Sequence, residues 1–148
     1  MGLFDWLFKK KKNEFQIDWE DRYSVGIIEI DAQHRRLFQI YNNLVEAMYQ
    51  GVGVKELGNA LNELLEYAVV HFMTEEGYME KYKYPGLEPH RSVHKEFRER
   101  FYKLHKEFHE GKPVLTAEVV EYLRDWLKGH VLNMDQKYAP YLKQAGAR

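Results

Sequence analysis

Histidines and a glutamate recur among the regularly spaced apolar residues of this 148-residue chain. From about residue 31 onward the apolar residues follow one another in steps of three and four, the spacing of one face of an amphipathic helix. Histidines and a glutamate stand in these stripes where core residues are expected. The group comprises His34, His71, Glu75, His90, His94 and His130. A fold that buries these groups must supply partners for them, and this requirement limits the fold more than any other feature.

Three turn-favouring points divide the body of the chain into four long helical segments after an irregular start. The points are Gly51-Val52-Gly53, Tyr84-Pro85-Gly86 and Gly111-Lys112-Pro113. Asp31 and Thr116 are predicted as the N-caps of the first and last segments. Strand-like alternation is absent from the sequence. Short connections and one narrow apolar stripe per helix predict an all-α fold, an up-down-up-down four-helix bundle with an irregular N-terminal segment.

Composition excludes several classes of function. The 22 Lys and Arg residues nearly balance the 23 Asp and Glu residues, so no basic field would attract nucleic acid, and we expect no nucleic-acid partner. The chain has no cysteine, which excludes disulfides, thiolate zinc sites and iron–sulfur clusters. Any metal site must therefore use nitrogen and oxygen ligands. No run approaches the roughly 20 apolar residues that span a bilayer, and we expect a cytoplasmic location.

The energetics of burial favour metal binding by the histidines in the stripes. A single histidine on an apolar face is usually a core residue with one hydrogen-bond partner. Several histidines buried in one bundle would leave many polar atoms desolvated, at roughly 1–3 kcal/mol each. That total rivals the ~5–15 kcal/mol that stabilises a whole domain. Metal coordination removes this cost because the lone pairs of imidazole and carboxylate groups become bonds.

The spacing of these residues supports a common centre. His71 and Glu75 are four residues apart, as are His90 and His94, so each pair stacks on one face of a helix. His130 and Asp135 are five residues apart, which places Asp135 roughly 140° around a regular helix from His130. Both reach one site only where the helix widens or ends. We therefore predict a π-type turn or a helix end at this point.

Four sequence motifs resemble the ligand motifs of the hemerythrin family, in the family's order and spacing. They are Asp31-Ala32-Gln33-His34, His71-Phe72-Met73-Thr74-Glu75, His90-Arg91-Ser92-Val93-His94 and His130-Val131-Leu132-Asn133-Met134-Asp135. The resemblance covers about residues 17 to 142. It implies that the metal ligands are His34, His71, Glu75, His90, His94, His130 and Asp135.

The ligand types suit iron, manganese or zinc, and spacing alone does not choose among these metals. The resemblance implies two iron ions (Fe2+/Fe3+) with a bridging oxo or hydroxo group. Two octahedral ions need about twelve coordination positions, and the histidines, two bridging carboxylates and the bridging oxygen fill about eleven. One position stays open for a small ligand, and the resemblance implies that this ligand is dioxygen.

Apolar residues one to four positions from the ligands are predicted to form the wall of an oxygen pocket, as similar positions do in the family. These residues are Leu37, Phe72, Phe97, Trp126, Leu127 and Val131. They are also ordinary bundle core residues. Our hypothesis is that they exclude water and bulky substrates, so that dioxygen is released rather than consumed.

The sequence supports three hypotheses about the function. The first is reversible dioxygen binding at a non-haem di-iron centre, for storage, transport, delivery or sensing, by a protein that is not an enzyme. The second is a di-iron oxidoreductase or an iron-handling protein on the same scaffold, for instance one that reduces peroxide or nitric oxide. The third is a metal-free or zinc-bound interaction bundle. The oligomeric expectation is a monomer or a small oligomer.

Residues 1–14 are predicted to be an amphipathic basic extension, and residues 15–148 the bundle domain. Aromatic and apolar residues precede a lysine run from Lys9 to Lys12. One interpretation is a weak membrane contact through residues 1–12, with the lysines facing anionic lipid. Contact with a protein partner and a frayed or self-packed terminus are the alternatives.

Several further polar residues lie near the predicted ligands or on the same helices. Glu76 and Tyr67 are candidates for hydrogen bonding to the ligand imidazoles and fixing their orientation. His105 and His109 also form a pair four residues apart, but they lie just off the apolar stripe. We predict a surface role for that pair.

Overall fold

The structure is a computed structural model that describes residues 11–148, and all regular structure in that range is helical. The helices are α1 (Lys12–Phe15), α2 (Ile28–Tyr49), α3 (Val54–Lys81), α4 (Leu87–His109), α5 (Ala117–Gly129) and α6 (Gln136–Gln144). A 3-10 turn covers Asp21–Tyr23, and a π-helical turn, His130–Asp135, joins α5 to α6. The long helices α2, α3 and α4 and the continuous α5–α6 unit form the predicted up-down-up-down four-helix bundle. The all-α prediction is therefore confirmed.

The long helices are separated at the three predicted turns. Thr116 caps α5 as predicted, because its hydroxyl accepts a hydrogen bond from the Val119 backbone N–H. The prediction that Asp31 is an N-cap is wrong, since α2 already begins at Ile28. The Asp31 carboxylate instead accepts hydrogen bonds from the Val25 N–H at 2.8 Å and the Ser24 hydroxyl at 2.5 Å, and so ties the preceding loop to the first turn.

Two apolar clusters fill the bundle, and the predicted ligands lie between them. The larger cluster includes Leu37, Phe72 and Val131, whereas the smaller one includes Met79 and Tyr138. Each helix passes from one cluster to the other at its ligand positions. On α3, for example, the sequence runs from Phe72 through Glu75 to Met79. The fold therefore surrounds one polar layer with apolar packing on both sides.

The start of the described chain packs against the bundle. The Phe15 side chain is fully buried, and its carbonyl accepts a hydrogen bond of 2.7 Å from the Tyr41 hydroxyl. The backbone of Ile17 exchanges two hydrogen bonds with the Asn42 amide, each 2.8 Å long. Most of the proposed extension, residues 1–10, lies outside the described residues, so the boundary after residue 14 and the membrane or protein contact stay predictions. Among residues 11–148, no helix is both long and apolar enough to cross a membrane.

Candidate metal centre

The structure brings all seven predicted ligand residues together in the polar layer. Each of them is buried, and the most exposed, His130, shows only 6% of its surface. Helix α2 contributes one residue, α3 two, α4 two and the α5–α6 unit two. The residues are His34, His71, Glu75, His90, His94, His130 and Asp135. All four helices of the bundle therefore position one shared site.

The donor atoms form two groups that share both carboxylates. Glu75 and Asp135 belong to both groups, and within each group the donor atoms lie within 4.8 Å of one another. One group adds His90, His94 and His130, and the other adds His34 and His71. This arrangement provides places for two metal ions that the carboxylates would bridge.

Short distances join the imidazole nitrogens to the two carboxylates. Asp135 Oδ1 lies 3.0 Å from His90 Nε2 and 3.1 Å from His130 Nε2, while Asp135 Oδ2 lies 3.0 Å from His34 Nε2. The two oxygens of Asp135 therefore face different groups. Glu75 Oε1 lies 3.0 Å from His71 Nε2 and 3.5 Å from His94 Nε2.

The π-helical turn explains how His130 and Asp135 reach the same site. Over His130–Asp135 the helix is wider than a regular α-helix, so residues five apart return to the same face. The prediction of a widened turn, made from the five-residue spacing, is confirmed. A regular helix would direct the Asp135 carboxylate away from the polar layer.

The unpaired lone pairs of the site fit metal ions. His34 Nε2, His71 Nε2, Glu75 Oε1 and both Asp135 carboxylate oxygens are buried without a hydrogen-bond partner. His130 Nε2 also lies 3.2 Å from His90 Nε2 and 3.0 Å from His94 Nε2. Adjacent nitrogen ligands of an octahedral ion, with bonds of about 2.1 Å, are about 3.0 Å apart. The donor set and its spacing thus suit coordination far better than an apolar core.

The outer nitrogens of two ligand imidazoles have fixed partners. Gln33 Oε1 lies 2.8 Å from His71 Nδ1, and Glu76 Oε2 lies 3.0 Å from His94 Nδ1. Such contacts hold the outer nitrogen as the donor and direct Nε2 toward the centre. The predicted contact of Glu76 with a ligand imidazole is confirmed. Tyr67 does not take its predicted role at His71, because Gln33 from α2 occupies that position and Tyr67 packs at the edge of the larger apolar cluster.

Tyr138 is a functional residue that sequence reasoning did not identify. Its hydroxyl, fully buried, donates a hydrogen bond of 2.5 Å to Glu75 Oε2. Burial and the Glu75 charge hold the pKa of Tyr138 well above its ordinary value, so the hydroxyl remains a donor. The only signal in the sequence was its position three residues after Asp135.

We expect Tyr138→Phe to weaken metal binding about 10-fold or more while the bundle remains folded. Loss of an outer hydrogen bond to a metal ligand typically costs 10–100-fold in metal affinity. Competition with a coloured chelator measures the effect. Tyr141→Phe is the matched control, because it removes a hydroxyl of the same helix that bonds the Lys83 carbonyl. Equal affinity in the two variants would show that Tyr138 does not support Glu75.

The charges of the metal-free site follow from burial and the two carboxylates. Burial opposes a charge on His34, but Asp135 and Glu75 outweigh it and raise the pKa of His34 to about 10. Burial also opposes a charge on His94, but Glu75 and Glu76 outweigh it and raise the pKa of His94 to about 9. Burial lowers the pKa of His71. Despite burial, the neighbouring histidines hold the pKa of Glu75 well below its ordinary value. Without metal, protons therefore occupy part of the site.

Metal loading at about pH 7.5 should release roughly two protons from His34 and His94. Both pKa values exceed this pH, so both rings carry a proton that coordination must displace. A bridging water that ionises would add one more. The number of protons released can be measured by adding Fe2+ anaerobically to metal-free protein in weak buffer that contains a pH indicator. A release of one proton or none would contradict the raised pKa values.

Aromatic residues predicted for the oxygen pocket pack directly on ligand rings. Phe72 stacks on His94 with ring centroids 4.0 Å apart, and Trp126 stacks on His130 at 4.5 Å. Phe97 in turn stacks on Trp126 at 3.8 Å. Leu37, Leu127 and Val131 are buried in the same apolar cluster. All six predicted residues thus belong to one apolar cluster, in which Phe72 and Trp126 contact ligand rings. The role of the six residues toward oxygen stays a prediction.

Comparisons with known proteins agree with this geometry. A bacteriohemerythrin of Stenotrophomonas maltophilia is 33% identical over 125 residues, covering 84% of this chain and 80% of the relative. One from Methylococcus capsulatus is 32% identical over 112 residues, covering 76% of this chain and 85% of the relative. A wild-type hemerythrin crystal structure matches with a TM-score of 0.78 and 29% identity, covering 85% of this chain and 97% of that one. The family model "Hemerythrin HHE cation binding domain" matches residues 25–142, and the chain therefore belongs to the hemerythrin family.

Proposed function

We propose that this protein binds dioxygen reversibly at two iron ions held by the seven ligand residues of the polar layer. The observation that carries the proposal is the unequal division of imidazoles between the two donor groups. Three histidines accompany the shared carboxylates in one group, but only two do so in the other. Membership in the hemerythrin family supports iron as the metal and dioxygen as the ligand.

The division of ligands supports a single open coordination position. His90, His94 and His130, with the two shared carboxylates and one bridging oxygen, would fill about six positions around one ion. His34 and His71, with the same bridging groups, would fill about five positions around the other. The open position would therefore lie in the second group. Two ferrous ions bound there would supply the electrons needed to bind dioxygen.

The protein's own contribution is to hold the ligands and to exclude water. Gln33 and Glu76 hold the outer nitrogens of His71 and His94, and Tyr138 holds Glu75, so these ligands stay in place when the open position is filled or emptied. Phe72 and Trp126 cover ligand rings with apolar surface. We propose that this cover shields the centre from water and from larger reductants.

The surroundings of the site favour binding over catalysis. Phe72 and Trp126 pack on ligand rings, and Phe97 and buried aliphatic side chains pack behind them. None of these apolar surfaces would bind and orient a polar substrate. The polar groups there, Gln33, Glu76 and Tyr138, are already engaged with ligands. The site therefore supports a carrier or sensor more than an oxidoreductase.

Cycling the protein between argon and air tests the proposal. Purified protein should contain about two irons per chain, and after reduction its absorption bands should appear in air, vanish under argon and return through many cycles. Continuous oxygen uptake in the presence of a reductant, with no reversible spectral change, would instead indicate an oxidoreductase. A colourless protein that contains zinc or no metal would indicate an interaction bundle.

Replacement of Trp126 tests the role of the apolar cover. In each cycle between argon and air, part of the reversible absorption band is lost. Trp126→Ala should increase this loss several-fold, because water gains access to the centre. Leu61→Ala is the control, since Leu61 is fully buried in the same cluster but lies about three turns before His71 on α3. Equal losses in both variants would contradict a protective role for Trp126.

A further inference from the structure

A second group of ligating side chains lies on the surface, far from the buried centre. His105 and His109 lie on one face of α4, at least eleven residues and thus about 16 Å beyond His94. Asn62 of α3 faces them. His109 Nε2 lies 3.2 Å from His105 Nε2 and 3.2 Å from Asn62 Oδ1, and His105 Nε2 contacts the same oxygen. Three donor atoms from two helices therefore meet at one point.

Neutral hydrogen bonding does not satisfy this triangle. If both rings donate to the Asn62 oxygen, two N–H groups face each other across the contact between His105 and His109. If one ring accepts from the other, its lone pair faces the Asn62 oxygen. Turning the Asn62 amide so that it donates to both rings places two ring lone pairs against each other. At least one contact is repulsive in every neutral arrangement, whereas a bound cation makes all three donors attractive.

The surroundings suit a cation that enters from solvent. His109 is exposed, and His105 and Asn62 are partly buried. A surface cavity of 630 Å³ lies beside them, and Glu66 lines it together with Asn62 and His105. Burial, and then the proximity of His109, lowers the pKa of His105, so this ring keeps its lone pair at neutral pH.

Close helix packing holds the two sides of the group together. Gly58 lies one turn before Asn62 on α3. A Cβ atom at Gly58 would lie 3.3 Å from Phe108 Cε1 and 3.6 Å from His109 Cε1. The absence of a side chain at this position allows the end of α4 to approach α3. An ion bound here would therefore link two helices that already lie close together.

We propose that Asn62, His105 and His109 form a second metal site, which takes one divalent transition-metal ion such as Cu2+, Zn2+ or Ni2+. Two imidazoles and one amide oxygen match the ligand preference of these ions, and water would complete the coordination. The site is distinct from the buried centre, with which it shares no residue. Because its ligands come from α3 and α4, the bound ion would stabilise the bundle against unfolding.

Copper titration of the iron-loaded, full-length protein at about pH 7.5 tests the proposal. Cu2+ is the probe because it binds such ligands most tightly in the series. We expect about one copper per chain with iron content unchanged, two-nitrogen superhyperfine splitting in the copper EPR spectrum, and a higher Tm. His109→Ala, a change at an exposed side chain, should weaken copper binding about 10-fold or more.

Two further variants separate a metal site from a hydrogen-bond network. Asn62→Asp should tighten copper binding, because a carboxylate is a stronger ligand than an amide. Lys106→Ala, an exposed change between the two histidines, should leave the affinity unchanged. Equal copper affinity in wild type, His109→Ala and Asn62→Asp would overturn the proposal. Copper uptake matched one for one by loss of iron would overturn it as well.

Discussion

Glu75→Gln should leave the protein almost without bound iron, with the affinity for both ions reduced about 100-fold or more. Glu75 belongs to both donor groups, so a single substitution acts on two ions at once. Glutamine has nearly the same shape, but its neutral amide has one oxygen in place of two and supplies no charge to balance the ions. Loss of outer partners costs 10–100-fold, and loss of a bridging ligand should cost more.

Iron content after gel filtration and chelator competition measure this loss. Two other carboxylates on α3 give a graded comparison. Glu76→Gln weakens the contact with His94 Nδ1 and the ion pair with Arg91 but leaves both donor groups intact, so it should weaken binding but still allow two ions. Glu80→Gln, at an exposed residue, should match wild type. A Glu75→Gln protein that keeps one ion at wild-type affinity would show that Glu75 does not bridge the two groups.

Metal removal should lower the free energy of unfolding by about 5 kcal/mol or more. The ions then no longer pair with the buried donor atoms of His71, Glu75 and Asp135, and the protons on His34 and His94 replace them only in part, at roughly 1–3 kcal/mol for each atom left unsatisfied. A loss of this size corresponds to a fall in Tm of about 10–20 °C for a chain of this length. Calorimetry of loaded and metal-free protein measures it. Identical melting curves would mean that the polar layer is stable without ions.

The difference in unfolding free energy between loaded and metal-free protein, here called the stability gap, should widen as the pH rises. In the metal-free protein the pKa values of His34 and His94 are raised to about 10 and about 9, from an ordinary value of 6.5. Their pairing with the carboxylates therefore contributes fully below about pH 6.5 and is lost as the pH rises through about 9 to 10. Imidazoles that coordinate a metal are neutral, so the loaded protein does not lose this stabilisation as the pH rises. A gap that narrowed between about pH 6.5 and pH 9.5 would contradict this assignment.

The fold and the paired ligands on one helix face could be predicted from local spacing, whereas the complete ligand set rested on the resemblance to the hemerythrin family. Steps of three and four residues define a helix face, so the spacing predicts that four side chains point toward the bundle axis. These are His71, Glu75, His90 and His94. The five-residue step to Asp135 even indicated the π-helical turn that the structure contains. Such patterns need no knowledge of how the helices pack.

Features that depend on contacts between elements could not be predicted in this way. Tyr138 was missed because its contact with Glu75 joins α6 to α3. Asn62 gave no signal, since only the register of α3 against α4 brings it to His105. Asp31 was misassigned because a capping carboxylate and one that hydrogen-bonds back to the preceding loop look alike in sequence. In each case the deciding partner lies outside the local sequence pattern.

Anomalous diffraction at the iron edge from crystals of the protein as purified tests the central claim most directly. We expect two peaks within the polar layer, one beside His90, His94 and His130 and the other beside His34 and His71. Both peaks should lie next to Glu75 and Asp135. A single peak surrounded by all the imidazoles, or no iron signal at all, would contradict a two-iron oxygen-binding centre.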